Sequence, residues 1–259
     1  MKLGFIGMGN MAAALARGFV ASGKVAPADL YAFDPATEKL AQMAKELGFA
    51  PVGSEKELAE AVDMVIMACK PYHVEGALAA MGDALSGKAL LSIALGWDHT
   101  KYRGVLAQDV RVQFVMPNTP AMVGEGMFLF EKTTTFTEKE LAFATDLLAA
   151  IGTVETLPSE LMGIGGALSG CGPAFVDLLI EAFADAGVYY GLPRDKAYKL
   201  VSQTVKGSAK LQQETGLHPG VLKDMVCSPA GSTIKGVAAL EHAGFRSAAL
   251  AAIEAIMEY

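Results

Sequence analysis

The chain carries 259 residues, 52% hydrophobic and 19% charged, with a formal net charge of −7. Its length suffices for more than one core, and its acidic balance with scattered Lys and Arg excludes the clustered basic surface that a nucleic-acid partner demands. Cys69, Cys171 and Cys227 lack CxxC spacing, and His73, His99, His218 and His242 lack HxH or HxxxH pairing, so neither a disulfide framework nor a metal site is expected.

In chain order, "KLGFI" (2–6) reads as a strand and residues 10–22 as a helix. "DLYAF" (29–33) is a second strand, followed by a helix over 35–48 with Pro35 near its first turn and Gly48 as its stop. "DMVIMAC" (63–69), "ALLSIA" (89–94) and "VRVQFV" (110–115) are continuous apolar or β-branched runs, as strands buried on both faces require. Helical patterns lie between them at 54–61, 72–85 and 98–107. One more helix, 137–152, opens with the capping-box pair Thr137 and Glu140. Strand–helix alternation of this kind predicts parallel βαβ units with right-handed crossovers.

After Pro158 the spacing becomes helical throughout. Val176, Leu179, Ile180 and Phe183 share one face, and Ala197, Leu200, Val201 and Val205 share another. An all-helical second domain over 158–259 is expected. Roughly a hundred residues make a small helical core, so pairing with a second copy suits this half. In "LSGCGPAF", Gly170 and Gly172 suit close helix packing. The N-terminus holds no signal-length apolar stretch and no run approaches about 18 uninterrupted apolar residues, so a soluble, cytoplasmic protein without a membrane partner is expected.

"GFIGMGNMAAALARG" gives Gly7-x-Gly9-x-x-Ala12 directly after a strand and at the start of a helix. Gly7 permits the tight turn, Gly9 lets a diphosphate approach the backbone, and Ala12 allows close helix–strand packing. The helix N-terminus adds free N–H groups and partial positive charge. Asp34 ends the second strand, where a carboxylate accepts hydrogen bonds from ribose hydroxyls; it also suits an N-cap. These features predict an α/β fold with a Rossmann-type doubly wound sheet over 1–157. "CKPYH" (69–73) and "MPNTPA" (116–121) each follow a strand, so Lys70 and Asn118 point to the same cofactor region by position.

"CSPAGSTIKGVAALE" (227–241) is a second glycine-bearing helix start. Gly231, Ser232 and Thr233 present successive N–H groups, a cradle of carboxylate size. Ser232 and Thr233 equally suit plain helix capping. Cys227 and Cys171 have no neighbouring His and read as small buried hydrophobes.

Together "FIGMGNMA", "CKPYHV", "MPNTPA", "LSGCGPAF" and "VCSPAGSTIKGVAALE" resemble the pyrroline-5-carboxylate reductase family over nearly the whole chain. The resemblance implies a dinucleotide-binding domain and a helical dimerisation domain, with dimers that assemble further into decamers. It places NAD(P)H against Gly7, Met8, Gly9, Asn10, Met11, Asp34, Ala68, Cys69, Lys70, Ala94, Leu95 and Asn118. It places the carboxylate of a cyclic imine against the loop containing Val226, Ser232 and Thr233; the helix start itself adds Gly231 to that cradle and makes Thr233 the catalytic candidate for hydrogen bonding the ring nitrogen. Asp34 and Glu55 stand where many members carry polar or basic residues facing the adenosine ribose, which leans toward NADH. A β-hydroxyacid dehydrogenase shares the N-terminal turn but needs a Lys on the first long helix of its second domain, and residues 173–190 contain none. A non-catalytic dinucleotide sensor remains the other alternative, and it would not need the "SPAGST" turn.

Overall fold

In the computed structural model, which describes residues 1–258, the chain divides into two units, Met1–Cys171 and Gly172–Tyr259. The first unit runs β1 (Leu3–Ile6), α1 (Asn10–Ala21), β2 (Leu30–Phe33), α2 (Thr37–Leu47), β3 (Ala50–Pro51), α3 (Glu55–Ala61) and β4 (Met64–Met67). It continues with α4 (Val74–Met81), β5 (Ala89–Ser92), α5 (His99–Arg103), β6 (Arg111–Met116), β7 (Gly126–Glu131), α6 (Glu138–Ala149), β8 (Gly152–Leu157) and α7 (Met162–Ser169). The second unit is helical: α8 (Gly172–Tyr189), α9 (Arg194–Thr215), α10 (Pro219–Val226), α11 (Ser232–His242) and α12 (Phe245–Met257).

The strands form one sheet in the order β3-β2-β1-β4-β5-β6-β7-β8. β1 lies between β2 and β4, so the chain order reverses there, and the carboxyl end of β1 is the switch point at which ligands bind in such sheets. Successive side chains point to opposite faces. Phe5, Ile66 and Leu91 therefore enter one core with Leu15 and Phe19 of α1, while Ile6, Val65 and Leu90 enter the other with Leu58 and Tyr102. Burial on both faces explains the unbroken apolar runs of β4 and β5.

Three strands depart from the sequence reading. β3 is a two-residue edge strand. β7 returns antiparallel to β6, in register Val115↔Phe130, after a single helical turn at Thr119–Val123. β8 then pairs parallel to β7 and takes Gly152, the last residue of the expected 137–152 helix. No helical spacing separates β6 from β7, so a βαβ template passes over both late strands. The capping box forms: Thr137 Oγ1 accepts from the Glu140 N–H, and the Glu140 carboxylate accepts from the Thr137 N–H at 2.9 Å. The division after Cys171 lies beyond the expected 157/158 boundary because α7 packs on the sheet, with Met162 against Phe114 and Leu129.

Among the described residues of the second unit only Ala184 and Ala197 are buried hydrophobics, whereas Leu178, Leu200, Met225 and Leu250 are each more than half exposed. Apolar helix faces left in water on this scale mark a surface that another chain covers.

Candidate active site

The first candidate site lies along the carboxyl ends of β2, β1, β4, β5 and β6. Gly7 follows β1 at φ +88, and a Cβ there would sit 2.8 Å from the backbone N and Cα of Cys69. Only glycine meets both conditions. Gly9 is the N-cap of α1, with no side chain capping it, and nothing lies within 4 Å of where its Cβ would be. The space in front of the helix is open, and the first-turn N–H groups of Asn10 and Met11 have no intrahelical acceptor. Behind them Ala12 is fully buried.

Asp34 does two jobs. Its Oδ2 accepts from the Met8 N–H at 2.7 Å and its Oδ1 from the Ala36 N–H at 2.8 Å, tying the glycine turn to the approach of α2. The Met8 N–H is thereby spent within the protein, as are those of Gly7, on Phe33 O, and Ala68, on Ile6 O. Glu55, in the first turn of α3, is close enough to Cys69 for its charge to act on the thiol. Burial first, and Glu55 second among the raising influences, push that thiol up to about 11. It is a neutral thiol near pH 7 and no nucleophile. Lys70 is exposed at the end of β4, just ahead of Pro71.

After β5, the Ala94 N–H donates to Ser92 Oγ, and the next residue, Leu95, is 66% exposed. Asn118 lies two residues beyond β6 and is held by two internal hydrogen bonds. Its Oδ1 accepts from the Met127 N–H at 2.8 Å and its Nδ2 donates to Ser169 O at 3.0 Å. The side-chain amide therefore stitches β6 to β7 and α7, leaving one N–H and one oxygen lone pair for any ligand.

The second candidate site is the start of α11. Ser228, Pro229, Ala230 and Gly231 form a turn closed by the Gly231 N–H donating to Ser228 O at 3.0 Å. Pro229 suits the second position of a type II turn, but the third position needs positive φ, and here it is Ala230 at +58. Among the described residues it is the one non-glycine in that region. The strain amounts to about 1–2 kcal/mol. Such outliers gather at functional sites.

One expectation is corrected here. Gly231 was expected to offer the first of three free N–H groups, yet its N–H closes the turn, so the free donors begin at Ser232. The capping alternative for Ser232 and Thr233 is not realised either: the N-cap is Gly231, without a side-chain cap. Both hydroxyls are exposed, and neither has a hydrogen-bond partner among the described residues. Val226 ends α10 and is 66% exposed. Sequence reading missed Ser228 and Ala230, although Pro229 at the second turn position was the signal for them.

Comparison with known proteins agrees with both halves. Residues 159–259 match the family described as pyrroline-5-carboxylate reductase dimerisation, and residues 2–96 match NADP oxidoreductase, coenzyme F420-dependent. The chain is 38% identical to pyrroline-5-carboxylate reductase of Escherichia coli K12, over 99% of this chain and 96% of the relative. It is 39% identical to that of Treponema pallidum, over 99% of each. The crystal structure of Plasmodium falciparum pyrroline carboxylate reductase with NADP bound superposes with a TM-score of 0.90 at 33% identity, covering 100% of this chain and 96% of that one. The chain belongs to the pyrroline-5-carboxylate reductase family.

Proposed function

We propose that imine reduction is divided between the two helix starts, one holding the dinucleotide and the other the substrate carboxylate. The enzyme is an NAD(P)H-dependent pyrroline-5-carboxylate reductase, which converts L-1-pyrroline-5-carboxylate to L-proline in the last step of proline biosynthesis. The first site fits such a dinucleotide. Open space before Gly9 would admit a diphosphate, the N–H groups of Asn10 and Met11 would meet it, and Asp34, directly after β2, would hold the ribose hydroxyls. When bound, this group supplies a hydride from its nicotinamide ring.

The protein's own part is binding and orientation. The N–H groups of Ser232 and Thr233, with the positive end of α11, hold the carboxylate and so fix which face of the ring is presented. Thr233 Oγ1 donates a hydrogen bond to the neutral imine nitrogen and relays onto it a proton drawn from solvent, so that the nitrogen is an amine N–H once the ring carbon is reduced. A protonated imine is already a strong electrophile, so the chain needs no nucleophile, and the neutral Cys69 thiol offers none.

The start of α11 carries this reading: a helix opening on Gly231 without a side-chain cap, followed by two unpartnered hydroxyls. Thr233→Ala is expected to lower kcat/KM for the imine by about tenfold to a hundredfold, the weight of one hydrogen bond to a charged group. Unchanged kcat/KM would remove Thr233 from the reaction.

Asp34 and Glu55 support a preference for NADH, since two carboxylates near the ribose repel a 2′-phosphate. Steady-state kinetics with both cofactors decides this, and an NADPH preference above about tenfold overturns it. The chain dimerises through its helical part. Further assembly to a decamer belongs to the same reading and is measured by light scattering on the 27.0 kDa chain. The stretch Ser159–Tyr189, with mean hydropathy 1.4, is long and apolar enough to cross a membrane. It is broken at Gly170–Cys171 and lies within the dimerisation match, which supports a subunit interface over a membrane span; a cytoplasmic enzyme without nucleic-acid partners belongs to the same proposal, on the acidic balance of the chain.

A further inference from the structure

The single tryptophan sits between two loops of the first site. Ala94, Leu95, Gly96 and Trp97 form a turn closed by the Trp97 N–H donating to Ala94 O at 3.1 Å. Gly96 takes φ +76 at the third position, as a type II turn requires, which puts Leu95 at the exposed tip. The Trp97 ring is 2% exposed and packs on Tyr102 with centroids 5.0 Å apart. Its Nε1–H donates to Pro71 O at 3.1 Å, in the loop that follows β4. That carbonyl is one residue beyond Lys70 and two beyond Cys69.

We propose that Trp97 is a positioning residue for the cofactor: its indole N–H fixes the loop carrying Ala94 and Leu95 against the loop carrying Cys69 and Lys70. The proposal rests on the reading that these two loops touch the dinucleotide. The arrangement has two independent anchors on one residue, one from its backbone and one from its side chain. The backbone N–H sets the shape of the turn, and the indole N–H sets its distance from the neighbouring strand's loop. Tyr102 supports the same turn from beneath, its hydroxyl donating to Ser92 Oγ at 2.9 Å while that oxygen accepts the Ala94 N–H. Loops positioned by such bonds hold their ligand contacts in register, and loss of one bond loosens the pair without removing any contact.

The test uses the full-length enzyme and three readouts: KM for the nicotinamide cofactor, KM for the imine, and Tm. Trp97→Phe keeps an aromatic ring at this position and removes the N–H donor. It is expected to raise the cofactor KM by about threefold to tenfold, the weight of one neutral hydrogen bond, with the imine KM unchanged. Leu95→Asp, run in parallel, is expected to weaken the cofactor as well. Loss with Leu95→Asp but an unchanged cofactor KM with Trp97→Phe overturns the role of Trp97. No effect from either variant overturns the loop-contact reading itself, and the proposal with it. A fall in Tm with equal rises in both KM values assigns Trp97 to packing alone and likewise overturns the proposal. Should Trp97→Phe fail to fold, the wild-type indole N–H gives one NMR signal. Its solvent exchange is expected to slow when oxidised cofactor is added, and an unchanged rate counts against the role.

Discussion

Helices α1 and α11 both start on a glycine in extended backbone, Gly9 at φ −72 and ψ −175 and Gly231 at φ −69 and ψ 174, and neither uses a side-chain cap. Their supports differ. α1 buries Ala12, Ala13, Ala14, Leu15, Ala16 and Phe19 in the core of its own unit, whereas α11 buries no residue. The turn before α1 uses Gly7 for its positive φ, while the turn before α11 places Ala230 there. One helix start is thus preformed by a single chain's core. The other owes its shape to a strained local turn and its surroundings to whatever covers the exposed helical faces. A reader of helix starts learns from this pair that the same local geometry can be held up by unlike means.

Disrupting the subunit interface separates the two most strongly. Leu178 is 64% exposed on α8, and Leu178→Arg would place a charge in the covered face. Activity is expected to fall by about a hundredfold or more as dimers dissociate, while the first unit still binds cofactor. Sedimentation and nucleotide fluorescence measure the two halves of that expectation, and loss of both together would mean that the first site also depends on the partner.

Gly9→Val strikes the other cradle. Nothing lies within 4 Å of the new Cβ, so Tm should hold, yet on the proposed reading the branched side chain would stand where the diphosphate binds. The cofactor KM should rise by about thirtyfold or more, with dimerisation intact. A variant that unfolds, or one with a normal KM, breaks the contrast.

Acid should affect the first unit more than the second. Burial opposes ionisation of Glu140, but hydrogen bonds from Arg111 and Thr137 outweigh it and hold the carboxyl below the ordinary glutamate value. The Arg111–Glu140 pair is 2.7 Å apart and mostly buried. A folded-state pKa lowered in this way gives stability that is complete above the ordinary value and lost as pH falls through the lower, folded one. Tm of the wild type should therefore drop below about pH 4, and Glu140→Gln should start lower at pH 7 and show a shallower acid loss. Pairs in the helical unit, Arg194 with Asp185 and Lys223 with Asp224, are exposed and add little. Equal acid slopes for variant and wild type would remove Glu140 from this role.

The smallest effect is expected from Ala230→Gly. Relief of the left-handed strain should stabilise the turn by about 1 kcal/mol, partly offset by the added freedom of glycine in the unfolded chain. Tm should change little while the imine KM rises modestly. A clear fall in Tm would mean that the Ala230 methyl makes contacts that outweigh its strain.

Much of the first unit was legible in the sequence because its signals are local. Buried parallel strands read as apolar runs, Gly7-x-Gly9 stands directly between strand and helix, and Thr137 with Glu140 spells a capping box. β7 and β8 were not legible, since an antiparallel return after β6 breaks the βαβ rhythm without leaving helical spacing behind. Asn118 and Asp34 were located correctly at strand ends, but their hydrogen bonds to Met127, Ser169, Met8 and Ala36 depend on segments distant in sequence. At α11 the sequence marks the helix start and not the donor count, because the turn bond that takes the Gly231 N–H depends on the conformation of Ala230.

A crystal of the dimer grown with oxidised cofactor and L-proline examines the second cradle most directly. The carboxylate is expected within hydrogen-bond distance of the backbone N–H groups of Ser232 and Thr233, with Gly231 still bonded to Ser228 O. A proline whose carboxylate rests on other residues, with the start of α11 left to solvent, would show that this helix start is not the substrate site.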